Sequence, residues 1–204
     1  MEISKRLPLW FWWAVGIMLI AAIAAAAVLL TRSTGPTLPP GLVERRAEAA
    51  RILDEASRVE DADLKPLVAL EARKDFKGAV ALMEQAMAAN ERQERLNASL
   101  ITVSEELVRL AVGVTPDEVG ARAVDAFSIL TQLAGAEKKF FAERRQLYET
   151  TRNYYAELAA KKKPSIPADL SSLVDRVNAA LAKARELHRR FTEAVKAFDK
   201  AIRE

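Results

Sequence analysis

The chain contains no cysteine and only one histidine, His188. Without cysteine, disulfides, thiolate nucleophiles and cysteine-based metal sites are excluded. A single histidine with no Glu-x-x-His arrangement beside it cannot support a common metal site or an arguable Ser/His/Asp set, and no glycine-rich phosphate loop is present. We therefore expect no catalytic residue, no cofactor and no bound metal ion, so the protein is predicted not to be an enzyme.

Glycine and proline are also scarce, at 7 and 8 of 204 residues, and aromatic residues make up 6%. The remaining composition is rich in Ala, Glu, Lys, Leu and Arg, which is typical of long helices. The 31 basic residues nearly balance the 28 acidic ones and alternate with them, as in Glu94-Arg95. Such alternation is typical of a solvated helical surface, and a nucleic-acid partner is not expected because it would require basic residues gathered on one face.

One long apolar segment lies near the N-terminus. After a short tail, residues 1–6, the 25 residues 7–31 carry no charged side chain, and Trp10, Trp12 and Trp13 cluster at their N-terminal edge. About 20 apolar residues suffice to cross the hydrocarbon core, and tryptophan favours the headgroup level. The segment predicts a single transmembrane anchor.

A cleaved signal peptide is the alternative, because the small residues 22–27 offer a cleavage site. The apolar residues 28–30 that follow favour an anchor, since cleavage would leave them at the new N-terminus. Positive charges on the two sides nearly balance, and we place the following domain outside the cytoplasm because Arg32 is followed by no further basic residue until Arg45. Residues 32–41 contain glycine, threonine and three prolines, and predict a semi-stiff stalk that separates the domain from the bilayer by about 20 to 30 Å.

Residues 42–204 predict an all-α domain, an antiparallel bundle of three long helices and a shorter one with coiled-coil-like packing. The helices are expected at about 42–60, 76–112, 116–160 and 170–202, with a brief helical turn at 67–70. Asp75 is predicted to cap the second long helical stretch, and Thr115, Pro116 and Glu118 to form a capping box after Gly113. Gly135 is expected to mark a close approach or a slight bend.

Two apolar stripes in four-three alternation are predicted to form the core. In the helix at 76–112 the stripe comprises Leu82, Ala86, Ala89, Gln93, Leu96, Leu100, Val103, Leu107 and Leu110. In the last helix it comprises Leu170, Val174, Val177, Leu181, Ala184, His188, Phe191, Val195, Phe198 and Ile202. The helix at 116–160 adds an aromatic-rich stripe made of Phe140, Phe141, Leu147, Tyr148, Tyr154 and Tyr155.

Four features invite a functional interpretation, and each also has a structural one. His188 is interpreted as a packed core residue rather than a metal ligand. The aromatic stripe is interpreted as core, although it could line a ligand slot. The run 161–163 of three lysines is interpreted as a solvated helix end rather than a phosphate or lipid contact. The glycosylation pattern at Asn97 falls in the middle of a helix and is interpreted as a chance match.

Two stretches resemble known families. Residues 74–87, with Phe76, Ala79 and Ala86, resemble the second helix of a tetratricopeptide repeat, but the pattern does not recur. The plan of anchor and bundle, with Tyr148, Tyr155 and Pro164-Ser165, is similar to LemA-type membrane proteins, whose N-terminal signature is missing here.

These observations predict a membrane-anchored, single-pass, non-enzymatic helical bundle that acts as a protein-interaction or scaffold module at the cell envelope. Its expected partners are the bilayer, through residues 7–31, and another protein or a second copy of the chain. The alternative is a ligand-sensing or lipid-contacting bundle with a LemA-like architecture.

Overall fold

The computed structural model describes residues 35–204, so the predicted anchor, the N-terminal tail and the first three residues of the stalk lie outside the described residues. The described chain is all-α and contains five helices and no strand. They are α1 (Leu42–Arg58), α2 (Pro66–Ala72), α3 (Phe76–Ala111), α4 (Asp117–Ala159) and α5 (Leu170–Arg203). Over residues 35–204, no helix is both long and apolar enough to cross a membrane.

The helix boundaries agree with the sequence prediction to within about three residues. Asp75 caps α3 as expected, because its carboxylate accepts a hydrogen bond of 3.0 Å from the Gly78 amide. The predicted capping box at the start of α4 is wrong. The Thr115–Pro116 peptide bond is cis, and the carbonyl of Pro116 accepts the first helical amides, those of Val119 and Gly120. Thr115 instead forms an isolated β-bridge with Thr37.

Two helices end on a lysine in the left-handed backbone conformation, at Lys74 (φ 57°) and Lys161 (φ 58°). After α4, the Lys162 amide donates to the Glu157 carbonyl at 3.0 Å and the Lys161 amide donates to the Leu158 carbonyl at 2.9 Å. This bonding pattern is a Schellman motif, which satisfies the last helical carbonyls and usually uses glycine. The lysine run therefore lies at a helix end, and all three of its side chains are exposed, as predicted.

The described chain divides into two compact units. Unit 1 contains the described residues up to Arg58, together with Ser99–Thr131 and Arg189–Glu204. Unit 2 contains Val59–Ala98 and Gln132–His188. The helices α3, α4 and α5 each contribute residues to both units.

In unit 1, α1 buries its apolar face beside segments of α3, α4 and α5. Leu42 and Phe198 are fully buried, and the rings of Phe127 and Phe198 meet edge to face with centroids 5.8 Å apart. An edge-to-face contact of this kind adds about 1 kcal/mol to the free energy of burying the rings. Ile52 and Leu130 complete this centre, each 2% exposed or less.

In unit 2, α3 and α4 run antiparallel in a definite register. The Asn90 side-chain amide donates to the Phe141 carbonyl at 3.2 Å, and the Asn97 side-chain amide donates to the Ala134 carbonyl at 2.9 Å. The two donors are seven residues apart on α3 and the two acceptors are seven residues apart on α4. This spacing is the heptad repeat of coiled-coil-like packing.

The buried stripe of α5 differs from the predicted one in its first half. Leu173 is fully buried, whereas Val174, a predicted stripe member, is 41% exposed. Leu187 is buried at 2%, and its neighbour His188 is half-buried. The predicted members Ala184, Phe191, Val195 and Phe198 are buried, so the predicted stripe was right in the second half of α5. In the first half the repeat of seven was right, but the buried positions are those of Leu173, Ala180 and Leu187. The apolar face of α5 is broad enough for either choice, and its packing partners select between them.

The stripe of α3 differs in a similar way. The predicted members Leu82, Ala89, Leu96 and Leu110 are half-buried. The fully enclosed positions alternate with them and include three polar residues spaced seven apart, Asn90, Asn97 and Ser104. A stripe chosen for its apolar residues alone could not include these three positions.

Candidate functional site

The densest buried polar cluster among the described residues surrounds Arg144 in unit 2. The Arg144 side chain is 8% exposed. Its Nε donates to the Asn90 Oδ1 at 2.5 Å, one Nη donates to the Asp61 Oδ1 at 3.1 Å, and the other donates to the side-chain oxygen of Gln93. Three side chains from the connection before α2 and from α3 thus bind one guanidinium of α4. We call these four residues the Arg144 cluster.

The Arg144 guanidinium also lies over aromatic rings of the predicted stripe. Its Cζ lies 4.8 Å from the ring centroid of Phe140, 5.3 Å from that of Phe141 and 5.9 Å from that of Tyr148. A cation at this distance from a ring is attracted by the quadrupole of the ring, by about 1 to 2 kcal/mol when the contact is desolvated. The guanidinium occupies space that a ligand between these three rings would need, which favours the interpretation of the stripe as core.

The remaining aromatics of the stripe are also engaged inside unit 2. Tyr155 packs against Tyr154, with centroids 5.4 Å apart, and stacks on Phe76 at the start of α3, at 6.4 Å. Burial, followed by the nearby Glu71 carboxylate, raises the pKa of the Tyr155 hydroxyl, which also hydrogen-bonds to Glu71. A phenol with a raised pKa remains protonated at neutral pH and acts as a hydrogen-bond donor rather than a base.

An ion pair in which both side chains are buried lies in unit 1. Arg46 of α1 donates to Asp199 of α5 at 2.7 Å, and the two side chains are 7% and 8% exposed. The Arg46 Cζ also lies 5.1 Å from the centroid of the Phe198 ring. Removing one member of such a pair leaves an uncompensated buried charge and typically costs about 3 to 5 kcal/mol. The pair ties α1 to the end of α5, and its geometry suggests no reaction.

Two partly buried titratable groups of unit 2 have displaced pKa values. Burial lowers the pKa of the His188 imidazole, so the neutral ring is the dominant form at neutral pH. Burial raises the pKa of the Glu137 carboxyl to about 7. Within residues 35–204, no group of three or more His, Asp and Glu side chains is placed to hold a metal ion. His188 is half-buried beside the fully buried Leu187.

The position of Asn97 argues against glycosylation at this residue. Its residue is 4% exposed, and its amide group donates to the Ala134 carbonyl. A glycan requires an exposed asparagine, so the pattern at residues 97–99 is a chance match, as predicted.

An open cleft of about 520 Å³ lies in unit 1, where the stalk meets the start of α4. Its walls are formed by stalk residues, the Thr115–Pro116 turn, the first turns of α4 and the end of α5. The lining residues are Gly35, Pro36, Thr37, Thr115, Pro116, Glu118, Val119, Arg122, Ala201 and Glu204. The charged side chains of this lining lie at the surface, and none is buried.

Sequence reasoning missed most of these residues. Arg144, Arg46 and Asp199 are members of ordinary mixed-charge runs, and nothing in the sequence marks them as buried. A signal did exist for Asn90, Asn97 and Ser104, since small polar residues recur there at intervals of seven. A polar residue at an enclosed heptad position is known to specify register at some expense of stability, which is consistent with this arrangement.

Comparison of the chain with protein-family models, with curated proteins and with solved structures found no match in any of the three. The resemblances to the tetratricopeptide repeat and to LemA-type proteins are therefore not supported. In addition, the repeat-like stretch continues as the 36-residue helix α3, whereas a repeat helix would end.

Proposed function

We propose that the protein is a membrane-anchored, non-enzymatic helical module that binds another protein at the cell envelope. Residues 7–31 would cross the bilayer once, with residues 35–204 outside the cytoplasm. The uncharged stretch of 25 residues and its three tryptophans support the anchor. The engagement of the best-placed buried groups in internal pairs, including Arg144 and Arg46, supports a structural rather than a chemical role.

The observation that carries the interaction role is the strong exposure of two large apolar side chains, Val68 and Ile166, in segments near one end of unit 2. Phe76 at the start of α3 stacks on Tyr155 near the end of α4, so the segments that flank these positions share this end. One of them is α2, which has no buried residue and exposes Val68 at 70%. The other is the α4–α5 connection, which exposes Ile166 at 70%. We call Val68, Ile166 and residues 161–163 the unit 2 end surface.

The composition of this surface indicates the chemistry of its partner. Exposed apolar side chains mark an interaction site when they form one contiguous patch, so the proposal requires Val68 and Ile166 to contact the same partner. The three exposed lysines 161–163 add positive charge beside them. A protein surface with an apolar centre and an acidic rim, or a second copy of this chain offering such a surface, would complement it.

Site-specific photocrosslinking in membranes tests this proposal. A photoreactive amino acid at position 166 or 68 should give discrete crosslinked products, which mass spectrometry would identify as one protein or as a second copy. The same group at Arg92, an exposed position within α3, is the control and should give none. An Ile166→Ser change should remove the product at position 68 without altering the circular dichroism spectrum. Equal labelling at 68, 166 and 92 would count against the unit 2 end surface.

The anchor is tested separately. The full chain should stay in the membrane pellet through carbonate extraction, and the same chain lacking residues 1–34 should not. Recovery of a mature protein that begins near Val28 would instead show a cleaved signal peptide.

A ligand-sensing role is the second candidate, and the 520 Å³ cleft of unit 1 is the observation that favours it. A metabolite or lipid that bound the folded protein would raise its melting temperature in proportion to the logarithm of ligand concentration. A screen in which no compound raises the melting temperature would count against this role.

A further inference from the structure

The second half of the stalk packs against the rest of unit 1. The Thr37 amide donates to the Thr115 carbonyl at 2.9 Å, and the Thr115 amide donates back to the Thr37 carbonyl at 3.1 Å. Leu42, just after the stalk, is completely buried. These bonds fasten residue 37 to the turn between α3 and α4, residues 112–116, which we call the α3–α4 turn.

Side-chain packing strengthens this attachment. A Cβ atom on Gly113 would lie 2.9 Å from Cγ of Pro39, so the proline ring of the stalk rests directly on the glycine of the turn. Gly41 has a φ of 86°, a conformation that favours glycine, and a Cβ there would touch the Leu110 side chain at 4.0 Å. The chain can thus turn sharply from the stalk into α1 while it stays against the end of α3.

The attachment limits how far the α3–α4 turn can lie from a bilayer. If residues 7–31 form the anchor, only the five residues 32–36 separate its last residue from the fastened Thr37. The six Cα–Cα steps from residue 31 to Thr37 span at most about 22 Å even when fully extended. The headgroup layer itself takes up about 5 to 7 Å of that distance. Thr37 therefore lies within about 15 to 17 Å of the outer headgroup surface in any conformation of those residues, and Thr115 is hydrogen-bonded directly to it.

The α3–α4 turn exposes a side chain suited to that position. Val112 is 76% exposed, the highest value among the exposed large apolar residues of the described chain, and it lies three residues from Thr115. Basic Arg109 and Arg122 and acidic Asp117 and Glu118 surround the turn, so its charge is balanced. Because the charges around the turn are balanced, its contact with a bilayer would depend on the apolar side chain of Val112 rather than on attraction to anionic lipids.

We propose that the α3–α4 turn rests on the bilayer surface, with Val112 in the headgroup region. The proposal depends on the proposed anchor and adds the orientation that the stalk imposes on unit 1. The second half of the stalk is fixed to the rest of unit 1, so unit 1 is held close to the membrane and cannot move away from it on a flexible linker.

The absence of cysteine makes single-cysteine labelling a direct test. Val112→Cys is introduced in the full chain, labelled with an environment-sensitive fluorophore and reconstituted into phosphatidylcholine vesicles. Arg190→Cys, at an exposed position of α5 in unit 1 that lies outside both proposed contact surfaces, is the matched control. Vesicle flotation reports anchoring independently of the label.

We expect the chain to float with the vesicles and the label at 112 to show blue-shifted emission, quenching by lipids with a shallow spin label, and protection from aqueous iodide. The label at 190 should remain accessible to iodide. A floating chain whose label at 112 is as accessible as that at 190 would overturn the proposed contact while leaving the anchor intact. A chain that fails to float would overturn both.

A longer connection between the anchor and Thr37 tests whether the short connection holds unit 1 at the membrane. Insertion of ten glycine and serine residues between Arg32 and Ser33 lifts the limit on distance and leaves unit 1 unchanged. We expect the quenching at 112 to fall while flotation persists. Unchanged quenching would refute the role of the short connection.

Discussion

The register of α5 can be tested with two adjacent residues. The four-three pattern of the sequence places Val174 in the core, whereas the structure buries Leu173 completely and leaves Val174 41% exposed. Replacing Leu173 with alanine removes three buried carbons and leaves a cavity, which costs about 3 kcal/mol. Replacing Val174 with alanine should change the free energy of unfolding by less than about 0.5 kcal/mol, because the lost burial is small and alanine favours the helix.

Urea unfolding of the purified chain, followed by far-ultraviolet circular dichroism, measures both values under one condition. A loss of about 3 kcal/mol corresponds to a fall in melting temperature of roughly 6 to 12 °C for a chain of this size. Unchanged dependence of the free energy on urea concentration would show that the two variants unfold from the same native structure. A larger effect at Val174 than at Leu173 would refute the packing described above and restore the stripe predicted from the sequence.

Three further predictions concern glycines and titratable groups. Gly135→Ala should stabilise the protein by about 1 kcal/mol, because a Cβ there meets open space. Gly120→Ala should destabilise it by about 1 to 3 kcal/mol, because its Cβ would lie 2.7 Å from the Val114 carbonyl oxygen. The melting temperatures of the two variants should therefore move in opposite directions. Because the folded-state pKa of Glu137 is raised to about 7, its contribution to stability is lost as the pH rises from about 4.5 to about 7. The loss is on the order of 2 kcal/mol, given the remaining solvent contact of the side chain. Glu137→Gln should make the free energy of unfolding depend less on pH over that range, and an unchanged dependence would contradict the burial argument. Because the pKa of His188 is lowered, its contribution to the free energy of unfolding is lost as the pH falls below about 6.5. His188→Gln should therefore reduce the sensitivity of stability to acid, change stability by no more than about 2 kcal/mol and leave partner crosslinking intact. Loss of crosslinking by a folded variant would show a functional role.

The positions of the helices were predictable because they depend on local chemistry. Asp75 caps α3, and the chain breaks between helices fall near Gly113 and Pro164, where the sequence places residues that cannot extend a helix. The cap of α4 was not predictable, because Thr115 is engaged by the distant Thr37 rather than by its own helix. Gly135 shows the same limit, since the expected close approach there does not exist and the one at Gly113 depends on Pro39.

The buried polar groups illustrate what remains hidden in a sequence. Arg144 and Arg145 are neighbours of identical type, yet the first is 8% exposed and the second 49%. Their difference arises because Asn90, Gln93 and Asp61 converge from other segments on one of the two guanidinium groups. No periodicity within α4 contains that information.

The sequence by itself determined the helical class, the helix boundaries and the repeat of seven, because helix propensity, capping and hydrophobic periodicity act within a few residues of one another. The tertiary structure alone decided which of two overlapping stripes of α5 is buried, which arginines are enclosed, and that the stalk is fastened to the α3–α4 turn. These features depend on groups brought together from 51 to 153 residues apart, as in the pairs Arg144–Gln93 and Arg46–Asp199. A buried polar group is stable only when such a partner arrives, and its partner is set by the packing of whole helices rather than by its neighbours in the chain.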